Sequence, residues 1–188
     1  MKLRWPPKPL GLGTPLNLAV LSPETRAQLA RSWWLAPVVG IAAALAVVAI
    51  DRVLFGGVTM RGTPDLSSHP SIGARVLVAL IGSLFEELVF RVGVATVTGW
   101  LSYWILQQVM SNPVRVAQWV GVITAAAAIG FMHVGQGDDP TRLWRILSVN
   151  AVGNIAYGWI YWRRGLELAW ATHVVVTCAL FIGVPALR

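Results

Sequence analysis

The sequence predicts an all-α membrane protein, a polytopic transmembrane helix bundle of about six spans with its active site inside the bundle. Three observations lead there. The 188-residue chain is 56% hydrophobic and 12% charged, about half the charged fraction of a soluble domain, and its mean hydropathy is +0.64. Its apolar segments are continuous runs, whereas a barrel strand would alternate. Most of its ten tryptophans sit at the ends of those runs, as an interfacial aromatic belt does.

Taken in order, residues 1–32 form a polar basic tail with Lys2, Arg4, Lys8, Arg26 and Arg31 and five prolines. It is too long and too broken for a signal-peptide leader, so a cytoplasmic tail is expected. Ser22-Pro23-Glu24 can start a short surface helix, with Ser22 as cap and Pro23 at the first position. Residues 33–188 form the transmembrane domain. Trp33–Ile50 is the first span, near the ~20 residues a bilayer requires. Asp51–Ser71, with Gly56-Gly57, Gly62, Pro64, Ser67-Ser68, His69 and Pro70, is a connecting loop. His69 is expected to be solvated.

Ile72–Met110 runs without a proline or a polar loop and is longer than one span needs. The expected solution is a helical hairpin turning near Arg91–Trp100, at Gly93 or Gly99. Asn112-Pro113 ends the block, Ala117–Val134 and Trp144–Trp162 span again, and Leu166–Leu187 closes the chain. A mild excess of basic residues on the tail's side leans towards a cytoplasmic N-terminus.

The net charge of +7 does not indicate nucleic acid. The basic residues sit at run ends and in the tail, where they orient helices and meet anionic head groups; the expected partner is the lipid bilayer. Cys178 is the single cysteine, which excludes an internal disulfide and suggests plain packing.

The chemistry concentrates in Phe85-Glu86-Glu87-Leu88-Val89-Phe90-Arg91. Charges at membrane depth are expensive unless paired. In a helix Glu87 and Arg91 share a face, so Arg91 is expected to hold Glu87 ionised as a structural pair, leaving Glu86 to react. His133, His173, Thr177, Asn150 and Asn154 are further polar residues inside apolar runs. His173 and Thr177 are four apart, as are Asn150 and Asn154. At ~1.5 Å per residue, with three helices running in one direction under the six-span arrangement, Glu86, His133 and His173 fall between mid-membrane and the inner face. A carboxylate beside imidazoles activates water, directly or through a metal, and a second His with a hydroxyl or amide can donate to a developing oxyanion. That chemistry is peptide-bond hydrolysis. Asn150 and Asn154 fit interhelical hydrogen bonding.

Glu86-Glu87-x-x-x-Arg91, then His133 in a later helix, then His173-x-x-x-Thr177 in the last, together with Tyr157–Gly165 leading through Leu168-Ala169-Trp170, resembles the CAAX protease and bacteriocin-processing (CPBP, or ABI) family of intramembrane proteases. The resemblance implies that Glu86 and His133 activate the water, that His173 and Thr177 stabilise the oxyanion, and that Glu87 and Arg91 support them. It implies a membrane-associated peptide or protein substrate and a bacterial plasma-membrane location. The family is labelled a metalloprotease, though a metal-free glutamate mechanism is also argued for it. If a divalent metal such as zinc is present, Glu86, His133 and His173 would hold it. Two positions depart from the family pattern. Ile129 stands where Phe is usual, and Thr177 where Asn is usual; if the residue is an oxyanion donor, the shorter hydroxyl costs about 10²-fold.

Two rival readings follow. One is a catalytically silent membrane protein that binds a peptide or partner, of the bacteriocin-immunity type, for which Thr177 is the main support. The other is an aspartyl intramembrane protease. Gly135-Gln136-Gly137-Asp138 matches the Gly-x-Gly-Asp of presenilin-type enzymes, and Pro185-Ala186-Leu187 their Pro-Ala-Leu. Such enzymes need a second aspartate within a span, and Asp51, Asp65 and Asp139 are all expected in loops.

Overall fold

The computed structural model describes residues 30–56, 71–134 and 140–183, together with Ala27. Most of the basic tail, the Ser22 cap, His69, the Gly-x-Gly-Asp tetrapeptide and the Pro-Ala-Leu lie outside the described residues. Among those described there is helix and no strand. Helix α1 is Leu35–Phe55, α2 is Ile72–Glu87, a π-helical segment covers Leu88–Ala95, and α3 is Thr96–Leu106. Then come α4, Val114–Met132, α5, Pro140–Arg164, and α6, Leu166–Cys178, which runs into a last π-helical turn at Ala179–Gly183.

Local chemistry sets most of these ends. Helix α1 stops at Gly56, whose left-handed φ of 59° suits glycine. Ser71 caps α2, its hydroxyl accepting from the Ala74 amide at 3.1 Å. Pro140 opens α5 at a position where the missing N–H is no loss. Gly165, at φ 100°, is the whole connection between α5 and α6.

The expected hairpin within Ile72–Met110 is not there. Glu87, Leu88, Ala95 and Thr96 all keep right-handed helical backbone angles, so the chain stays helical from residue 72 to 106. At 1.5 Å per residue that is about 52 Å, well beyond the ~30 Å hydrocarbon core. A glycine turns a helix only where the backbone gains by leaving it. Here Gly93 lies within the π segment, and Gly99 packs against Trp162 and the Ala117 carbonyl. The described residues therefore form five rods rather than the six spans expected. Asp51 is also relocated: α1 continues through it, and it lies in a helix rather than a loop.

Contacts fix the relative directions of the rods. Ala95 meets Gly121 and Gly99 meets Ala117, so α3 and the π segment run antiparallel to α4. Gly158 meets Val122 and Gly130 meets Leu147, so α4 and α5 are antiparallel. Tyr157 and His173 stack across the Gly165 turn, eight residues to either side of it, which makes α5 and α6 a hairpin. Asp51 pairs with Arg145 while Ala36 clusters with Ile160 and Tyr161, setting α1 antiparallel to α5.

Polarity is inverted relative to a soluble protein. Leu45, Ile81, Phe85, Val97, Leu101, Ile105, Ile123 and Phe131 are exposed, while Glu87, Arg91, Asn154, Thr172 and His173 are buried. An apolar exterior of this extent on a monomer marks contact with lipid or protein. Two helices, Ala30–Phe55 and Val114–Met132, are long and apolar enough to cross a membrane.

Candidate active site

Glu86, His133, His173 and Thr177 line one cavity of about 430 Å³ between the helices, along with Asn150 and Asn154. The route is not the one the six-span arrangement implies. The helix carrying Glu86 runs opposite to α4, and continuing the pairing of Gly99 with Ala117 and Ala95 with Gly121 brings Glu86 beside the turn Gly130–His133. The polar residues meet because the register is antiparallel, not because three helices share a direction.

Glu87 and Arg91 are fully buried and pair across one helical turn, Glu87 Oε2 lying 3.3 Å from Arg91 Nε. That contact is electrostatic, since neither atom has a well-aligned hydrogen bond. The geometrically good donor is Arg91 Nη2, which reaches Asn154 Oδ1 on α5 at 2.5 Å. Asn154 in turn donates Nδ2–H to the Asn150 carbonyl. The interhelical role expected for Asn154 is thus a specific one: it anchors Arg91.

The other Glu87 oxygen accepts from His173. The distance from His173 Nδ1 to Glu87 Oε1 is 3.0 Å, and an ionised carboxylate only accepts, so the proton sits on Nδ1. His173 Nε2 then turns to Glu86, with Oε2 at 3.7 Å. That gap is longer than a hydrogen bond and of the size one water bridges. Glu86 is partly exposed, its side chain at 30% against 1% for Glu87. The two adjacent glutamates are therefore placed differently: Glu87 inside a closed ion-pair network, Glu86 at the cavity wall.

His133 is held separately. Its Nδ1–H donates to the Ile129 carbonyl at 2.8 Å, one turn back along α4, and the residue lines the cavity. Thr177 also lines the cavity, one turn beyond His173.

Tyr157 is a site residue that pattern reading missed. Its ring stacks on His173 with centroids 4.3 Å apart and planes 15° apart, and the Arg91 guanidinium lies 5.8 Å from its centroid. The signal was in the sequence: Asn150, Asn154, Tyr157 and Tyr161 recur at helical spacing and form one polar stripe along α5. Also missed is the ion pair of Asp51 with Arg145, which joins α1 to α5 at the same cavity through Arg145 Nε to Oδ1, and Nη2 to Oδ2 at 2.9 Å. Neither residue carries a recognisable spacing, because its partner lies on another helix.

Glu86, His133 and His173 share a cavity, but among the described residues no three His, Cys, Asp or Glu side chains are arranged to hold a metal ion. Nδ1 of each histidine is engaged, which is how a metal-ligating imidazole is usually oriented, but the three side chains as positioned form no metal-holding group, and the steps proposed for the site are derived from the side chains alone.

The model of one known family, described as "Rce1-like: Type II CAAX prenyl endopeptidase Rce1-like", matches residues 68–179, more than half the chain and every candidate residue named above apart from Asp51. No curated protein and no solved structure matches.

Proposed function

The chain belongs to the Rce1-like family of type II CAAX prenyl endopeptidases, a family of membrane proteases, and from that premise we propose that it is an intramembrane endopeptidase using Glu86 as its general base. The observation that carries this reading is the placement of Glu86. It is a carboxylate with no protein hydrogen bond among those described, at a cavity wall, 3.7 Å from an imidazole nitrogen whose other ring nitrogen is tied to Glu87.

In this mechanism water sits between Glu86 and an imidazole Nε2. Glu86 takes a proton as the water oxygen attacks the scissile carbonyl, forming a tetrahedral intermediate. In this reading His173 and Thr177 stabilise the oxyanion, His173 with a proton at Nε2 that solvent supplies and that returns to solvent when the intermediate collapses, while His133 helps orient the water. The proton on Glu86 then passes to the leaving amine. Glu87, held by Arg91 and Asn154, keeps His173 in the tautomer this sequence requires. The substrate is a membrane-associated peptide or protein; the family's description names CAAX prenyl substrates.

We place the protein in a bacterial plasma membrane with its basic tail in the cytoplasm. Five alternating crossings then put Arg115, Arg163 and Arg164 on the tail's side and Arg142 and Arg145 on the other. This arrangement supersedes the basic-residue count made for six spans.

The second reading, a catalytically silent binding protein, is favoured by Thr177 where the family usually has Asn. One experiment separates the two. Wild type and Glu86→Gln are reconstituted in liposomes with a panel of prenylated and unmodified membrane peptides. Cleavage by wild type, reduced about 10²-fold or more in the variant with unchanged thermal stability, supports the protease. No turnover by wild type supports the silent reading, and equal turnover in both proteins overturns the role given to Glu86.

A further inference from the structure

A second cavity, of about 180 Å³, lies at the far end of α5 from Arg145 and shares no lining residue with the candidate active site. Its wall holds Arg115 and Gln118 near the start of α4, Trp119 one turn on, and Trp159, Trp162 and Arg163 near the end of α5. The antiparallel register of α4 and α5 is what brings the two arginines together. Neither has a carboxylate partner among the described residues, and the cavity wall contains no acid. Two guanidinium groups at one cavity repel each other unless an anion joins them. Trp162 also lines this wall, and the amides of the first turn of α4 add positive potential at the same end.

We propose that this cavity binds the phosphate of an anionic membrane lipid headgroup. Phosphate chemistry follows from the donors: planar guanidinium forks match phosphate oxygens, and nothing on the wall would repel a negative charge. The lipid source follows from the surroundings. The cavity sits at one end of α4, an apolar helix long enough to cross a bilayer, which is where headgroups lie. Trp119 and Trp159 are exposed beside it, and Arg163 stacks over Trp159 at 5.5 Å, so aromatic faces are turned outward where the glycerol and upper acyl chain would lie.

The test is a titration of the detergent-solubilised full chain with phosphatidylglycerol or phosphatidylcholine, followed by native mass spectrometry. Phosphatidylglycerol is expected to bind about 10-fold or more tightly than phosphatidylcholine, with an advantage that shrinks as salt rises from about 0.05 to about 0.5 M. Arg115→Gln and Arg163→Gln are each expected to weaken phosphatidylglycerol binding about fivefold, and the lysine substitutions, which keep the charge but not the fork, by a smaller factor. Equal binding of the two lipids by wild type, or a salt-independent preference, overturns the proposal without any variant needing to fold. Glutamine variants that bind as wild type does overturn it as well. Displacement of the lipid by millimolar inorganic phosphate would mark a free-phosphate site and overturn the lipid assignment.

Discussion

Glu86 and Glu87 are chemically identical neighbours, and about 100° of helix rotation separates their surroundings. Glu87 faces a sealed network of Arg91, Asn154 and His173; Glu86 faces the cavity. Glu87→Gln leaves the Arg91 charge buried without its counter-ion and is expected to cost about 3–5 kcal/mol of stability. It also frees the His173 ring from its tautomer, so activity should fall together with stability. This is more than the purely structural role expected for Glu87 from helix geometry. Glu86→Gln, at a partly exposed site with no hydrogen bond to lose, should leave stability unchanged. Unfolding titrations of both variants in mixed micelles check this, and a Glu86→Gln protein as destabilised as Glu87→Gln would refute the asymmetry.

At the scale of elements, the informative feature is the π-helical segment after the glutamates. A wider helix shifts backbone hydrogen bonds to more distant carbonyls, and the Thr96 N–H accordingly reaches the Arg91 carbonyl five residues back, to which the Thr96 hydroxyl also donates at 2.8 Å. Such segments recur at functional sites, and this one carries Arg91 itself. It packs so closely on α4 that a Cβ at Gly121 would lie 2.4 Å from the Ala95 carbonyl oxygen, a distance only a backbone shift can relieve. Gly121→Ala should therefore destabilise the protein by about 1–3 kcal/mol, although alanine is the better helix former by about 1 kcal/mol. A chevron or equilibrium unfolding curve measures the net sign; a stabilised variant would mean that α4 does not approach this closely.

For the whole molecule, α1 lies outside the residues matched by the family model, yet it contributes to the cavity. Val47 and Asp51 line it, and the ion pair of Asp51 with Arg145 fastens α1 to α5. Asp51→Asn should cost about 3–5 kcal/mol by stranding a buried guanidinium, while Asp51→Asn combined with Arg145→Met should cost less than either single change. A double-mutant cycle in detergent measures this coupling, and additive losses would show that the pair does not join the helices.

The sequence by itself determined the environment and the cast. An apolar, charge-poor chain has to fold as helices in lipid, and charges placed within apolar runs have to be paired or used; that logic singled out Glu86, Glu87, Arg91, His133, His173 and Thr177. Pairings within one helix, such as Glu87 with Arg91, were legible because four-residue spacing alone sets them. Only the tertiary structure decided the path of Ile72–Leu106, because a glycine in an apolar run is compatible both with a turn and with close helix packing, and the choice rests on what packs against it. It also decided that Glu86 lies nearest His173, that Tyr157 stacks on that ring and that Asp51 meets Arg145. Contacts between helices depend on register and rotation, which no single helix encodes.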